Sequence, residues 1–161
     1  MQISLDRFDL QLLDHLQTDG RISNAELADR LALSPSACLR RLRLLESQGL
    51  IEGYHARLNA AALGFGLEAY VSVTLNLSHG PDPRERFGAL VLQWPEVMSA
   101  AIVTGETQYF LHVVVRDIRH FSEFVMERLY REGRALDIRS SLVLTHIKHD
   151  NRLPLASLQT T

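Results

Sequence analysis

The stretch that decides the fold of the first part of this chain is 34-SPSACLRRLRLLESQGLIEGY-54. Ser34 is a favourable N-cap, and Pro35 suits the first helical position, where its missing N–H is not needed. Gly49 stands where a left-handed residue commonly ends a helix. The spacing therefore predicts one helix that begins after Ser34 and ends before Gly49.

One side of this predicted helix is apolar and the other is cationic. The apolar stripe consists of Cys38, Leu42 and Leu45, and the arginines that project elsewhere are Arg40, Arg41 and Arg43. A helix with this division, and with the small side chains of Ser34 and Ser36 at its N-terminus, is shaped to enter a DNA major groove. We expect the two serines to meet phosphate or base edges and the three arginines to bind phosphate.

The residues before and after this helix complete a known DNA-binding arrangement. Residues 6–18 carry leucines at helical spacing, and Ser23 with Glu26 forms a capping box that opens a short helix through Leu31. Two helices joined by so tight a turn predict a helix-turn-helix. Residues 50–58 predict a short extended pair, a wing. A generic three-helix core with a solvated arginine face is the alternative that the residues alone leave open.

Composition limits the classes of protein to which the chain can belong. The chain has 161 residues, one cysteine and a formal net charge of −2. A single cysteine excludes an internal disulfide and a thiolate metal cluster and fits a reducing cytoplasm. We see no signal peptide and no apolar run long enough to cross a membrane. A local cationic patch on a nearly neutral chain favours site-specific over indiscriminate nucleic-acid binding.

The remaining two thirds predict an alternating domain. Strands are predicted at 71–77, 97–103, 108–115 and 138–147, with helices around 87–94 and 117–133. The order strand–helix–strand–strand–helix–strand is ferredoxin-like. We therefore predict an α+β chain: a winged helix-turn-helix domain at 1–58, a connector at 59–66, and a ferredoxin-like βαββαβ domain at 67–161.

No catalytic set is visible in the sequence. The seven histidines form no metal-type pair on a predicted helix face, and no glycine-rich phosphate loop is present. We therefore expect that the protein is not an enzyme and that it binds neither a metal nor a cofactor. The one candidate ligand loop is the turn at 104–109, which presents backbone amides, hydroxyls and a carboxylate. From these residues alone, a polar hairpin turn that binds no ligand is an equally good interpretation.

Several motifs at fixed spacing resemble those of one family. The segments 20-GRIS-23, 25-AELA-28, 34–54 and 151-NRLP-154 are similar to the signature of the Lrp/AsnC (feast/famine) transcriptional regulators. The resemblance implies a sequence-specific regulator of double-stranded DNA that is modulated by a small amino acid, with leucine or methionine as our guess. It also implies dimers formed through the C-terminal sheets, which stack into tetramers or octamers.

The resemblance further implies an effector site between subunits of neighbouring dimers. Its residues here are Thr104, Gly105, Glu106, Thr107, Gln108 and Tyr109 in the turn, with Ser140 and Ser141 in the last strand. Two positions depart from the family pattern. Gln108 stands where the family usually has Asp, the natural partner of an ammonium group, and Leu44 stands where a second basic residue usually follows.

Two alternatives stay open at this point. Some proteins of similar layout are tetrapyrrole decarboxylases, which would require a histidine and arginine cluster; the only candidates are His112, Arg116, Arg119 and His146. A regulator that no longer responds to any small molecule is the second alternative, because Gln108 replaces the usual acid.

Overall fold

The computed structural model describes residues 5–76, 82–105, 108–148, 150 and 152–158. The chain divides into two compact units, one of Met1–Arg57 with Lys148–Thr161 and one of Leu58–Ile147. The predicted division at 58 and 66 stays a prediction, and it differs from these units by assigning residues 148–161 to the second domain. Among the described residues no helix is both long and apolar enough to span a bilayer.

Three helices build the first unit: α1 (Arg7–Thr18), α2 (Asn24–Arg30) and α3 (Pro35–Ser47). Each begins at the residue that its local sequence predicts. Asp6 caps α1 and Ser23 caps α2, both in capping boxes, and the Ser34 hydroxyl accepts from the N–H of Ala37 at the start of α3. Gly49 has a φ of 71°, the left-handed conformation expected after the helix. The helix-turn-helix prediction is confirmed.

The apolar faces of these helices meet in one small core. Its fully buried members are Leu12, Leu27, Ala28, Leu31, Cys38 and Leu45. Cys38 is completely buried, and burial raises the pKa of its thiol. It therefore packs as a small apolar residue, as its place on the apolar stripe predicts.

The predicted extended pair at 50–58 contains no β-strand. A two-stranded hairpin without a third strand is only marginally stable. Here Leu50 and Ile51 pack against the helical core, and the Tyr54 hydroxyl donates to Glu46 across 3.0 Å. Burial, with this hydrogen bond, raises the pKa of Tyr54 to about 12. This segment is thus attached to α3 by side chains and forms no strand ladder of its own.

The C-terminal segment is held on α1 by a reciprocal pair of hydrogen bonds. The Leu153 N–H donates to Gln17 Oε1 across 2.6 Å, and Gln17 Nε2 donates to the Leu153 carbonyl across 3.3 Å. A side-chain amide that satisfies both backbone groups of one residue imitates a strand pairing. These bonds join the end of the chain to the helical unit.

The second unit contains one antiparallel sheet. Its strands are β1 (Leu67–Leu75), β2 (Val97–Ile102), β3 (Tyr109–Val115) and β4 (Ala135–Leu142), in the order β2-β3-β1-β4. This is the strand order of a ferredoxin-like βαββαβ domain, so the predicted class is confirmed. β4 lies earlier in the chain than the predicted 138–147: it pairs with β1 from Leu75 opposite Ala135 to Ala69 opposite Leu142, and one further backbone hydrogen bond joins the Val143 N–H to the Glu68 carbonyl.

Helices cover one face of this sheet. They are α4 (Pro83–Val91) and α5 (Ile118–Glu123), and α5 continues into a π-type helical segment (Phe124–Glu132). Alternate residues of β1 and β3 pack beneath them with Phe87, Trp94, Phe121, Phe124 and Leu129. The side chains between those residues, such as Tyr70, Phe110 and His112, lie on the opposite face, where described residues form no second layer.

Candidate DNA-binding and effector sites

Three of the predicted DNA-binding side chains share one exposed face of α3. Ser36, Arg40 and Arg43 follow each other at i, i+4 and i+7, the spacing that places residues above one another on a helix. All three are exposed, whereas Cys38 and Leu45 on the opposite side are buried. The fold therefore separates a packed side of α3 from a side that is open to a partner.

The N-terminus of α3 is fixed from two directions. Ser34 Oγ lies 3.2 Å from Ser36 Oγ, and it accepts from the Ala37 N–H across 3.3 Å. Asn24 Nδ2, from α2, donates to the Pro35 carbonyl across 2.9 Å. The positive end of the helix is thus rigidly presented, which suits contact with a phosphate.

Arg41 differs from the two other arginines. Its Nη1 lies 2.7 Å from Asp6 Oδ2 and 2.7 Å from Asp9 Oδ1, and its guanidinium carbon lies 5.5 Å from the centre of the Phe8 ring. The hydrogen bonds with Asp9 and Asp6 raise the pKa of Arg41. The side chain is therefore directed to α1 and away from the face shared by Arg40 and Arg43.

The turn between β2 and β3 is only partly within the described residues. Thr104 and Gly105 are exposed, and Gly105 has a φ of 117°, which favours glycine. Glu106 and Thr107 lie outside the described residues. Gln108 continues the sheet beyond β3: its N–H donates to the Val73 carbonyl across 3.1 Å, and its Oε1 accepts from the Leu75 N–H across 3.0 Å.

Tyr109 belongs to the core of the second unit. Its ring is buried and lies 4.7 Å from that of Phe87, and its hydroxyl donates to the Arg84 carbonyl across 3.3 Å. Burial raises the pKa of this hydroxyl. The side chain predicted for effector contact therefore supports the turn from beneath.

Ser140 and Ser141 are not beside the turn within one chain. Ser140 pairs with buried Val71 and Ser141 with exposed Tyr70, so the two serines lie on opposite faces of the sheet. β1 separates β4 from β3, and Ser140 is also displaced along its strand, which places its backbone roughly 14 Å from that of Gln108. The structure does not bring these predicted effector residues together in a single chain.

A cavity of about 240 Å³ opens near the end of β1. Its lining residues are Leu75, Asn76, Pro83, Arg86, Gly133, Arg134, Ala135 and Leu136. Leu75 connects it to the turn, because the Leu75 N–H donates to Gln108. The sequence did not reveal this cavity, since its walls come from three separate segments.

The sequence also did not predict a polar cluster that lies on the open face of the sheet. Glu68 accepts from His112 Nε2 across 2.7 Å and from His146 Nε2 across 2.9 Å. Burial opposes ionisation of this carboxyl, but hydrogen bonds from both histidines outweigh it and lower the pKa of Glu68. His112 and His146 follow Glu68 in the chain by 44 and 78 residues, so the cluster becomes visible only from the register of the strands.

The four residues that a tetrapyrrole enzyme would need do not form one cluster, although His112 and His146 share Glu68. His112 faces the open side of the sheet, whereas Arg119 belongs to α5 on the covered side, where it pairs with Glu123. Arg116 follows β3 at the end of the sheet. In the part of the chain that the structure describes, no group of acidic, histidine or cysteine side chains is arranged to hold a metal ion.

The two units each match a known protein family. Residues 5–52 match the family described as winged helix-turn-helix DNA-binding, and residues 68–153 match the Lrp/AsnC ligand binding domain. The chain belongs to the Lrp/AsnC family. It is a transcriptional regulator with a DNA-binding unit and an amino-acid-binding unit, as the resemblance of its motifs implied.

Individual Lrp/AsnC proteins are similar along nearly their whole length. The leucine-responsive regulatory protein of Rhizobium meliloti is 40% identical over 149 residues, which cover 92% of this chain and 94% of that protein. A transcriptional regulator from Neisseria meningitidis, solved with L-methionine, is 43% identical with a TM-score of 0.92, covering 96% of this chain and 99% of that one. A feast or famine regulatory protein from M. tuberculosis, also complexed with L-methionine, is 35% identical with a TM-score of 0.85, covering 93% and 99%.

Proposed function

We propose that α3 reads DNA through Ser34, Ser36, Arg40 and Arg43, and that Arg41 positions the helix from behind. The observation that carries this proposal is the exposed i, i+4, i+7 face of α3 opposite its buried stripe. Because its partner is chromosomal DNA, we place this regulator in the cytoplasm. In a symmetric oligomer, two copies of α3 would read half-sites about one helical turn, or a multiple of it, apart.

The test is the salt dependence of binding to a selected operator. Sites are first enriched from random duplexes, and affinity is then measured by fluorescence anisotropy over a series of salt concentrations. Loss of one phosphate contact lowers the slope of log K against log salt by about one. Arg40→Ala and Arg43→Ala should each lower the slope, and unchanged slopes in both variants would reject α3 as the reading helix.

We propose further that a small apolar amino acid modulates assembly or DNA binding, with L-methionine as the first compound to test and L-leucine as the second. Two relatives were solved with L-methionine, and the ligand-binding family covers the turn at 104–109. Calorimetric titration tests this proposal. Absence of saturable heat from either amino acid would favour a regulator without an amino-acid response.

We propose that the effector site is shared between copies of the chain. Thr104, Gly105, Glu106, Thr107 and Gln108 form one side, with Tyr109 supporting them from the core, and Ser140 or Ser141 of another copy forms the other side, because these elements are separated within one chain. The exposed aromatic face of the sheet, with Tyr70 stacked on Phe110, supports dimers formed through the sheets. Light scattering checks this assembly: a monomer at working concentration would reject it.

We infer that the protein is not an enzyme. Of the candidate residues for tetrapyrrole chemistry, His112 and His146 share Glu68 on the open face of the sheet, whereas Arg119 lies on the helix-covered side, so the histidines and this arginine line no common cleft within one chain. Addition of a tetrapyrrole should give no Soret shift and no decarboxylated product, whereas a specific operator should be retained. Turnover of the tetrapyrrole would overturn this inference.

A further inference from the structure

The cavity of about 240 Å³ in the second unit has a distinct electrostatic character. Its walls are apolar at Leu75, Pro83, Ala135 and Leu136, and the charged side chains that line it are Arg86 and Arg134. No acidic side chain is among its described lining residues. Two guanidinium groups beside an apolar wall fit a small carboxylate that carries an apolar side chain.

Arg134 is held at this cavity by an unfavourable backbone conformation. Its φ is 54°, the left-handed region that a side chain such as arginine rarely adopts. The residue before it, Gly133, is buried and has no room for a side chain, since an added Cβ would lie 2.8 Å from the Leu129 carbonyl oxygen and 2.9 Å from the Phe87 ring. The backbone of the turn into β4 is therefore fixed by the close packing of Gly133, and Arg134 is held in a strained left-handed conformation.

Among the described residues, the guanidinium of Arg134 has no partner that would explain this strain. It makes no hydrogen bond or ion pair with any residue within the described ranges, and it is exposed. A strained residue with an unused charged group, at the wall of a cavity, points to a ligand. Arg86 is different, because its Nη2 donates to the Glu132 carbonyl across 2.9 Å, which fixes its position and leaves other N–H donors for the cavity.

We propose that this cavity receives the carboxylate of the effector, which Arg134 binds together with Arg86 while the apolar walls contact the effector's side chain. This inference rests on the proposed amino-acid response and deepens it by naming the residues that recognise the acid group. The Leu75 N–H connects the cavity to Gln108, so an occupied cavity adjoins the turn at 104–109. Recognition of the carboxylate is thereby assigned to residues outside the turn.

The experiment compares two ligands on three proteins. L-methionine and L-methioninamide, which lacks the carboxylate, are titrated calorimetrically into the full chain, Arg134→Gly and Arg131→Gln. Arg134→Gly removes the guanidinium and also relieves the positive φ, so the variant should fold at least as well as the parent. Arg131 is the matched control, because it is an exposed arginine of the neighbouring helical segment that pairs with Glu127 and does not line the cavity.

We expect the full chain and Arg131→Gln to prefer L-methionine over its amide. Arg134→Gly should bind L-methionine about ten- to a hundredfold more weakly and lose the preference, with an unchanged or higher melting temperature and unchanged operator affinity without effector. Wild-type affinity in Arg134→Gly, or a full chain that binds acid and amide equally, would overturn the inference while the proposed amino-acid response stands. A full chain that binds no amino acid would overturn both.

Discussion

Arg41 of α3 and Asp9 of α1 are joined by a hydrogen-bonded ion pair of 2.7 Å, and the same guanidinium nitrogen also contacts Asp6, the N-cap of α1. Arg41 and Asp9 are both largely buried, with side chains 24% and 16% exposed. Neighbouring arginines of one helix thus differ in role: Arg41 connects α3 to α1, while Arg40 and Arg43 are exposed.

Arg41→Ala should lower stability, whereas Arg40→Ala should lower DNA affinity. We expect Arg41→Ala to reduce the free energy of unfolding by about 1–2 kcal/mol, because two carboxylates lose a charged donor. Arg40→Ala should leave that free energy within about 0.5 kcal/mol, since its side chain is exposed. Urea denaturation and operator titration separate the two effects, and equal stability losses would contradict the distinction.

Asp6 should make α1 sensitive to acid. Burial raises the pKa of Asp6, but hydrogen bonds from the Asp9 N–H and from Arg41 lower it by more. The pKa of Asp6 in the folded protein therefore lies below its ordinary value of 3.8. A lowered folded-state pKa means that the stabilisation is complete above pH 3.8 and is lost as the pH falls through the folded-state value. Melting temperatures between pH 7 and pH 3 should therefore decline as Asp6 takes up a proton.

Asp6→Asn provides the control for this acid dependence. Asparagine is an equally good N-cap but cannot titrate and carries no charge for Arg41. The variant should melt lower than the parent at pH 7 and converge with it at the acid end of the series. A constant difference at every pH would show that Asp6 contributes only as a cap.

The carboxylate of Glu68 should be coupled energetically to both histidines. Glu68→Ala leaves His112 and His146 without their shared acceptor, and we expect a loss of about 1–2 kcal/mol in the free energy of unfolding at pH 7. In a double-mutant cycle with His112→Ala, the coupling should be about 0.5–1.5 kcal/mol. Strictly additive losses, measured by urea denaturation, would contradict the hydrogen bond.

The sequence was most informative where structure is decided locally. Ser23 and Ser34 marked the starts of α2 and α3, because a cap requires only residues within the same turn. The βαββαβ order was likewise visible from alternating apolar residues.

What the sequence could not reveal depends on partners far along the chain. The bounds of β4 depend on its pairing with β1, which begins at Ala135 opposite Leu75, earlier than the predicted start at residue 138. Arg41 is directed away from the open face of α3 by Asp6 and Asp9, more than 30 residues earlier. The cavity with Arg86 and Arg134 similarly requires the register of β1 against β4.

Gln108→Asp should strengthen amino-acid binding if the turn lies beside the effector's ammonium group. The shorter side chain loses the hydrogen bond from the Leu75 N–H, so the free energy of unfolding should fall by about 1 kcal/mol. The introduced carboxylate gives the ammonium a charged acceptor, and we expect L-methionine to bind about tenfold more tightly in calorimetric titration.

Gln108→Asn separates these two consequences, because it shortens the side chain equally without adding charge. Both variants should lose the same stability, and the aspartate variant alone should gain affinity. Equal affinities in the two variants would place the ammonium away from Gln108, and the effector would then be bound without any contribution from this position. A gain in the aspartate variant from no binding to measurable binding would instead show that glutamine at this position makes the natural protein insensitive to the amino acid.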